Sequence, residues 1–285
     1  WLGWRFGGRP LAILTFLCFL YLAVFGQWAS AMITLSSILV AVPVGVVVGT
    51  SLGILAHRHD GFARLIRPVL DLMQTVPVFA YLVPVLFLFG FGPVSAMIAT
   101  IIYAMPPMVR VTMLALRGVA PEIVEFGNMT GCTSRQMLWR ILLPTARPSL
   151  MVGVNQVIML SLNMVIIASM IGAGGLGRDV LTSLRRLAIG DGLEAGLAIT
   201  LLAISLDRLS QAFVTRQKQP LHVEMDKSFF VRHATAVVFF GLVFAGFLTA
   251  ALAPSIALYP TAMVIDTGPF WDDVVRLINV HLYDY

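Results

Sequence analysis

Apolar runs about the length of a membrane-spanning helix follow one another along almost the whole chain. A bilayer core about 30 Å thick needs roughly 20 apolar residues in a helix. Lipid offers unpaired backbone groups no hydrogen-bond partner, so such runs must be helical. The sequence therefore predicts an all-α polytopic membrane protein with about six or seven transmembrane helices. The candidate spans are Leu11–Trp28, Met32–Ala56, Val76–Phe91, Val94–Val111, Leu150–Ile171, Leu193–Phe213 and Phe229–Leu252.

The composition agrees with a membrane protein and argues against a nucleic-acid partner. Only 12% of the residues are charged, against about 25% in an ordinary globular domain. The net charge of +5 comes from basic residues in short loops, where they act as orientation signals. The two cysteines, Cys18 and Cys132, show no metal spacing and suggest no disulfide. The chain begins at Trp1, so we expect its natural N-terminus to lie further upstream.

The basic residues also predict the orientation of the spans. If the N-terminus is cytoplasmic, 15 of the 19 Lys and Arg residues fall on the cytoplasmic side. The outer side keeps only Arg178, Arg185, Arg186 and Arg276. Positive residues concentrate in the cytoplasmic loops of membrane proteins, so we expect the polar segment 121–144 to face the cytoplasm.

The second span carries small residues at four-residue intervals: Ala41, Gly45, Gly49 and Gly53. Small residues at this spacing allow helix backbones to approach closely in lipid. We interpret the stripe as packing, which predicts a helical bundle.

The polar segment between residues 121 and 144 has the signals of a helix–turn–helix. Pro121 and Glu122 suit a first helical turn, and Gly131 suits a left-handed helix end. Thr133 and Gln136 have the spacing of a capping box for a second short helix. Pro144 and Pro148 are expected to stop that helix before the fifth span. This knob, which we define as Glu122–Arg140, has more apolar residues than a solvated loop needs. They favour a docking element, the alternative being an amphipathic hairpin on the membrane surface.

Three parts of this segment are Glu125-Phe126-Gly127, Gly131 and Ile141-x-Leu143-Pro144. Together they resemble the "EAA" loop of permease subunits in ATP-binding cassette (ABC) importers. This chain differs from the family pattern at Phe126 and Gly127, where two small alanines are usual. The resemblance implies that the segment docks onto an ABC ATPase. The expected coupling residues are Glu122, Glu125, Phe126, Gly127, Gly131, Arg135, Ile141, Leu143 and Pro144.

The sequence contains no phosphate-cradling GxxxxGK[ST] motif. ATP and Mg are therefore expected to bind a partner ATPase. For this chain we expect no cofactor, no metal site and no catalytic residue, so it would be a transport subunit rather than an enzyme.

A second resemblance covers roughly residues 34–213. The segments that carry it are Asn155–Gly177, Met73–Pro77, Tyr81–Pro84 and Asp207-Arg-Leu209. It is a resemblance to the glycine betaine/proline betaine (choline-type) importer permeases. It implies a type I importer transmembrane domain in a bacterial inner membrane. The substrates implied are small quaternary or methylated amines such as glycine betaine, choline, proline betaine or trimethylamine N-oxide. The implied partners are two ATPase subunits, a second permease domain or subunit, a periplasmic or lipid-anchored substrate-binding protein, and membrane lipid.

Polar residues within the fifth span require a reason, because a polar group facing lipid loses hydrogen bonds. Gln156 and Asn163 lie on one helical face, and with Ser169 they are candidates for the translocation path or, equally, for hydrogen bonds between helices. The glycine loop, Gly172 to Gly177, has dinucleotide-binding spacing but follows a long buried span rather than a short strand. We instead expect a flexible, closely packed outer gate formed by Gly172, Gly174, Gly175 and Gly177.

The predicted organisation is an N-terminal transmembrane helix (1–29), a permease domain (30–213), a cytoplasmic linker (214–227) and a final section (228–285). The final section would be an extra helix with an outer segment, or the start of a second permease unit. Two other functions remain open at this point. One is a permease for sulfonates or amino acids, and the other is an ATP-independent channel.

Overall fold

The computed structural model describes residues 2–217, 265 and 267–283, and these residues contain no β-strand. The all-α prediction is therefore confirmed for this part of the chain. The helices are α1 (Leu2–Val24), α2 (Trp28–Arg58), α3 (Asp60–Thr75), α4 (Val78–Phe89), α5 (Pro93–Arg117), α6 (Pro121–Met129), α7 (Ser134–Gln136), a π-helical segment (Met137–Leu142), α8 (Leu143–Met170), α9 (Gly175–Arg186), α10 (Ile189–Gln217) and α11 (Gly268–Tyr283).

Within the described residues, five helices are long and apolar enough to cross a membrane. They are α1, α2, α5, the continuous helix Ser134–Met170, and α10. A sixth crossing results if α3 and α4 count as one broken span. The predicted span Phe229–Leu252 lies outside the described residues. Helix α10 continues to Gln217, into the first residues of the predicted linker.

The third span differs from its prediction, because it is a bent pair of helices rather than one helix over Val76–Phe91. Helices α3 and α4 meet at an angle of 104°, on either side of Val76 and Pro77. A proline disfavours helical backbone at the preceding residue, and Val76 is extended. Pro77 also lacks the N–H that would bond to the carbonyl of Met73. The Tyr81 hydroxyl donates a hydrogen bond to that carbonyl instead, so the break leaves no orphaned acceptor there.

The centre of the bundle is formed by α2, α5 and α8, and the glycine stripe of α2 lies at its closest approach. A Cβ atom on Gly49 would lie 2.7 Å from Met108 Cβ, and one on Gly53 would lie 2.5 Å from Thr112 Cβ. On the α8 side, a Cβ on Gly153 would lie 2.7 Å from Met108 Sδ. The predicted close packing is confirmed, and its partner is α5.

The bundle has two ends of different character. At one end, Asp60 and Arg117 form an ion pair of 3.5 Å between the start of α3 and the end of α5. The knob lies at this same end, since buried Leu116 of α5 packs in one cluster with Leu138 and Leu142. At the other end, the amide of Gly92 donates to the carbonyl of Ile171 at 2.9 Å, which joins the start of α5 to the glycine loop.

Helix α11 packs at the glycine-loop end, against the start of α10. The Asp272 carboxylate accepts a hydrogen bond from the amide of Gly190 at 2.7 Å, which caps the first turn of α10. Buried Glu194 accepts from the Thr267 amide at 2.7 Å. The Ile265 amide donates to the Val24 carbonyl at 2.8 Å. Residues 265–283 are thus tied to the ends of α1 and α10.

The close approach of α2 and α5 makes a first prediction. Gly53→Ala should destabilise the bundle by about 1–3 kcal/mol, because its Cβ overlaps Thr112 and lies 2.9 Å from the Val109 carbonyl. Gly61→Ala is the matched control, because a Cβ there meets nothing within 4 Å. The thermal unfolding midpoint in detergent checks both. Equal midpoints for the two variants would contradict the packing described here.

Candidate functional site: the knob, the α8 face and the glycine loop

The knob forms the predicted helix–turn–helix. Helix α6 begins at Pro121 with Glu122 in its first turn, and Gly131 follows it with a left-handed φ of 71°. The amide of Cys132 bonds to the Gly127 carbonyl at 3.1 Å and that of Gly131 to Asn128 at 3.0 Å, which is a Schellman motif. Thr133 and Gln136 form a complete capping box at the next helix start. These local predictions are confirmed.

The prediction that Pro144 and Pro148 stop the second helix is wrong. The chain remains helical from Ser134 to Met170. The π-helical segment 137–142 precedes Pro144, and the Leu143 amide bonds to the Leu138 carbonyl, five residues earlier. Pro144 follows this segment as the second residue of α8, and Pro148 lies inside α8 without ending it. As a result, the second helix of the knob and the α8 span form one continuous helix.

Gly127 is the residue of the knob that must be small. It is buried, and a Cβ atom on it would lie 2.6 Å from Met137 Cε and 2.7 Å from Ile141 Cδ1. Gly127 stands where the family pattern has an alanine, so this packed position still holds a small residue. Ile141 and Leu143 are partly buried in the cluster that joins the knob to α5. Pro144 and Arg135 are exposed.

The outer surface of the knob combines apolar and charged side chains. Phe126 is 65% exposed, Met129 88% and Trp139 60%. Glu122 and Glu125 are also exposed on α6. Aromatic residues, Met and Arg are the residue types enriched at protein interfaces, and the knob exposes Phe126, Trp139, Met129 and Arg135.

One face of α8 is exposed along its length. Gln156 and Asn163 lie on it, with the apolar residues Val152, Met159, Ile166 and Met170. Ser169, the third path candidate, lies elsewhere: it is buried, and its hydroxyl donates to the Ile166 carbonyl at 2.5 Å. The structure therefore brings together two of the three path candidates.

The glycine loop is a junction of several helix ends. Gly172, Gly174 and Gly175 have φ values of 102°, 73° and 68°, which L side chains rarely adopt. A Cβ on Gly172 would lie 3.1 Å from the amide nitrogen of Gly92, and one on Gly177 would lie 2.6 Å from the Val165 carbonyl. The predicted close packing is present at Gly172, Gly175 and Gly177, whereas a Cβ on Gly174 would lie 3.8 Å from Ile33 Cγ2, which is an ordinary contact.

Thr34 is a site residue that the sequence analysis missed. Its hydroxyl accepts a hydrogen bond from the Leu176 amide at 3.0 Å and donates to the Ser30 carbonyl at 3.0 Å. Thr34 thus caps the N-terminus of α9 from a different helix, α2. No local signal reveals this cap, because the two residues are 142 positions apart in the chain.

The comparisons with known proteins agree with this geometry. Residues 41–219 match the family described as the binding-protein-dependent transport system inner membrane component, so the chain belongs to this family of multi-pass inner-membrane proteins. The chain is 43% identical over 253 residues to the trimethylamine N-oxide transport system permease protein TmoV of Ruegeria pomeroyi, covering 88% of this chain and 38% of that protein.

Two further relatives have related names. The glycine betaine/proline betaine transport system permease protein ProW of Salmonella typhimurium is 44% identical, over 74% of this chain and 60% of its own length. The glycine betaine transport system permease protein OpuAB of Bacillus subtilis is 40% identical, over 76% of this chain and 77% of its own length. The chain therefore spans well under two thirds of TmoV and just under two thirds of ProW.

Solved structures match the fold. Inward-facing MetNI, a methionine ABC transporter, gives a TM-score of 0.59 at 19% identity, over 66% of this chain and 94% of that chain. An amino acid ABC transporter with histidines gives 0.53 at 16% identity, over 69% of this chain and 92% of that one. The predicted fold, the transmembrane domain of a type I ABC importer, is thereby confirmed.

The cap on α9 makes a second prediction. Thr34→Val should cost about 1 kcal/mol, because the Leu176 amide loses its acceptor. Amide hydrogen exchange in the first turn of α9 should accelerate several-fold. Thr34→Ser should retain wild-type exchange, and so should Ser36→Ala, which removes an exposed hydroxyl bonded only within α2. Unchanged exchange in Thr34→Val would contradict the capping role.

Proposed function

We propose that this chain is a transmembrane permease subunit of an ATP-driven importer for small quaternary or methylated amines. The observation that carries the proposal is the identity of 40–44% to permeases named for glycine betaine, proline betaine and trimethylamine N-oxide. The structure supports the transport part, because the described helices form a spanning bundle with an exposed knob at one end.

The knob is the proposed docking site for an ABC ATPase. Its apolar side chains Phe126, Met129 and Trp139 are exposed at the end of the bundle that also carries Arg58 and Arg117. Because positive residues mark the cytoplasmic side, this end would face the cytoplasm, where ATP is available. Two ATPase subunits would bind and hydrolyse ATP with Mg there, and this chain would do no chemistry itself.

The continuous helix from Ser134 to Met170 would connect the ATPase mechanically to the far side of the membrane. A push on the knob would move α8 as a unit, because the helix has no break between the knob and the glycine loop. Buried Leu116 and Leu138 couple the same movement to α5. Alternating access would follow as α8 and α5 shift relative to a second permease unit.

The exposed face of α8 supports a role for that second permease domain or subunit. Gln156 and Asn163 on this face would lose hydrogen bonds in lipid, so a partner helix or a solute path would lie beside them. Ser169 lies outside the proposed path, since it is buried away from this face. The apolar residues between the two amides would provide the packing surface.

The glycine-loop end would receive substrate from an external binding protein. Gly172, Gly175 and Gly177 form its tightly packed base beside Gly174. The exposed Arg185 and Arg186 lie in the last turn of α9. The Thr34 cap would hold α9 in position as a gate element. Amine selectivity would reside largely in the binding protein.

Docking at the knob makes a third prediction. In the complete transporter, Phe126→Asp or Glu125→Arg should weaken ATPase binding by more than tenfold, as loss of an interface hot spot of about 2 kcal/mol does. Co-purification of the ATPase and ATP-dependent uptake are the measurements. Neither substitution should unfold the knob, because both side chains are exposed.

Leu187→Asn is the matched control for the knob variants. Leu187 is an exposed apolar residue at the opposite end of the bundle, with a left-handed φ of 58° that asparagine tolerates. This variant should keep wild-type ATPase binding. Wild-type ATPase binding in both knob variants would overturn the docking assignment.

The substrate class makes a fourth prediction. Reconstituted vesicles containing the complete transporter should take up glycine betaine, choline, carnitine or trimethylamine N-oxide only with ATP and the binding protein. A sulfonate and an amino acid without methylated nitrogen serve as controls and should not be taken up. If only the control solutes are taken up, the proposed substrate class is wrong. Uptake without ATP would support a channel.

A further inference from the structure

A small cavity lies beneath the glycine loop, between α2, α5 and α8. Its volume is ≈ 30 Å³, and its wall is mostly apolar. Four hydroxyl side chains interrupt that wall: Thr34, Ser37, Thr100 and Ser161. Ala173 and Gly174 of the glycine loop form part of the wall as well. The cavity lies on the side of α8 opposite to Asn163, since residues two apart on a helix point about 200° apart.

Three of the four hydroxyls already use their protons within their own helices. Thr34 donates to Ser30, Ser37 to Ile33 and Thr100 to Ala96, at 2.8–3.1 Å. Each of these hydroxyls has two acceptor lone pairs, and Thr34 uses one of its own for the Leu176 amide. The cavity wall thus offers mainly acceptors.

Ser161 is different. It is only 2% exposed, and its Oγ has no hydrogen-bond partner among the residues that the structure describes. A buried hydroxyl without a partner costs about 1–3 kcal/mol. Serine in a helix commonly bonds back to a carbonyl of the preceding turn, but Ser161 instead lines the cavity with its proton free.

From this arrangement we propose that the cavity, which is partly open, is a hydration site in which Ser161 binds ordered water. A water molecule can accept from Ser161 and donate to the lone pairs of the neighbouring hydroxyls. A cavity needs roughly 10–15 Å³ of this kind of volume for each water, so ≈ 30 Å³ holds about two.

The water would join the three central helices directly beneath the glycine loop. Water-mediated hydrogen bonds are nearly as favourable as direct ones, and they re-form after a small displacement. The buried hydroxyls would therefore stay satisfied through small movements of the three helices. The hydration site itself does not depend on which solute is transported.

The test is a cryo-EM structure of the complete transporter, at a resolution that shows ordered water inside the bundle. We expect water density at hydrogen-bond distance, about 2.7–3.0 Å, from Ser161 Oγ. In Ser161→Ala that density should be lost. Ser205→Ala is the control, because Ser205 is fully buried but donates to the Leu202 carbonyl in its own helix. Its cavity density should match the wild type.

Xenon provides an independent measurement, since dry apolar cavities of proteins bind xenon. The wild-type cavity should bind none under xenon pressure. Xenon bound in the wild-type protein, or no water density at Ser161 where other interior waters are resolved, would overturn the proposal. Unchanged cavity water in Ser161→Ala would also overturn it, because Ser161 would then not be the binding residue.

Discussion

The rest of this structure depends on one constraint: within a bilayer, a backbone N–H or C=O that loses its helical partner must find another inside the protein. Prolines and glycines break the regular pattern at several points, and at two of them a side-chain hydroxyl compensates. The Tyr81 hydroxyl bonds the carbonyl orphaned by Pro77. Thr34 accepts from the first turn of α9. Side-chain hydroxyls therefore satisfy backbone groups at both of these breaks.

Close backbone approach makes the centre of the bundle a rigid unit on which both ends depend. Gly49 and Gly53 place α2 directly against α5, and α5 packs in turn against the knob through Leu116. Since Ser134–Met170 is one helix, the helical backbone runs without a break from the knob to Met170, just before the glycine loop. The π-helical segment lies where the knob joins the span, and such segments frequently occur at functional sites.

Predictions from sequence succeeded where the responsible residues are near each other in the chain. The left-handed Gly131, the capping box of Thr133 and Gln136, and the glycine stripe each depend on spacings of a few residues. The prediction for Pro144 failed because a π-helical turn allows the chain to remain helical. The third span was mislocated because hydropathy does not recognise α3, whose polar face interrupts the apolar pattern while Ile66 and Leu70 are buried.

The sequence by itself determined that this chain is a helical membrane protein, where its polar knob begins and which glycines permit close contact. Hydrophobic runs and turn residues act locally, so they can be read without knowledge of the neighbours. Only the tertiary structure decided that Thr34 caps α9, that Ser169 lies away from Gln156 and Asn163, and that Ser161 faces a cavity. Those facts depend on which helices pack together and at what rotation, and no local pattern specifies either.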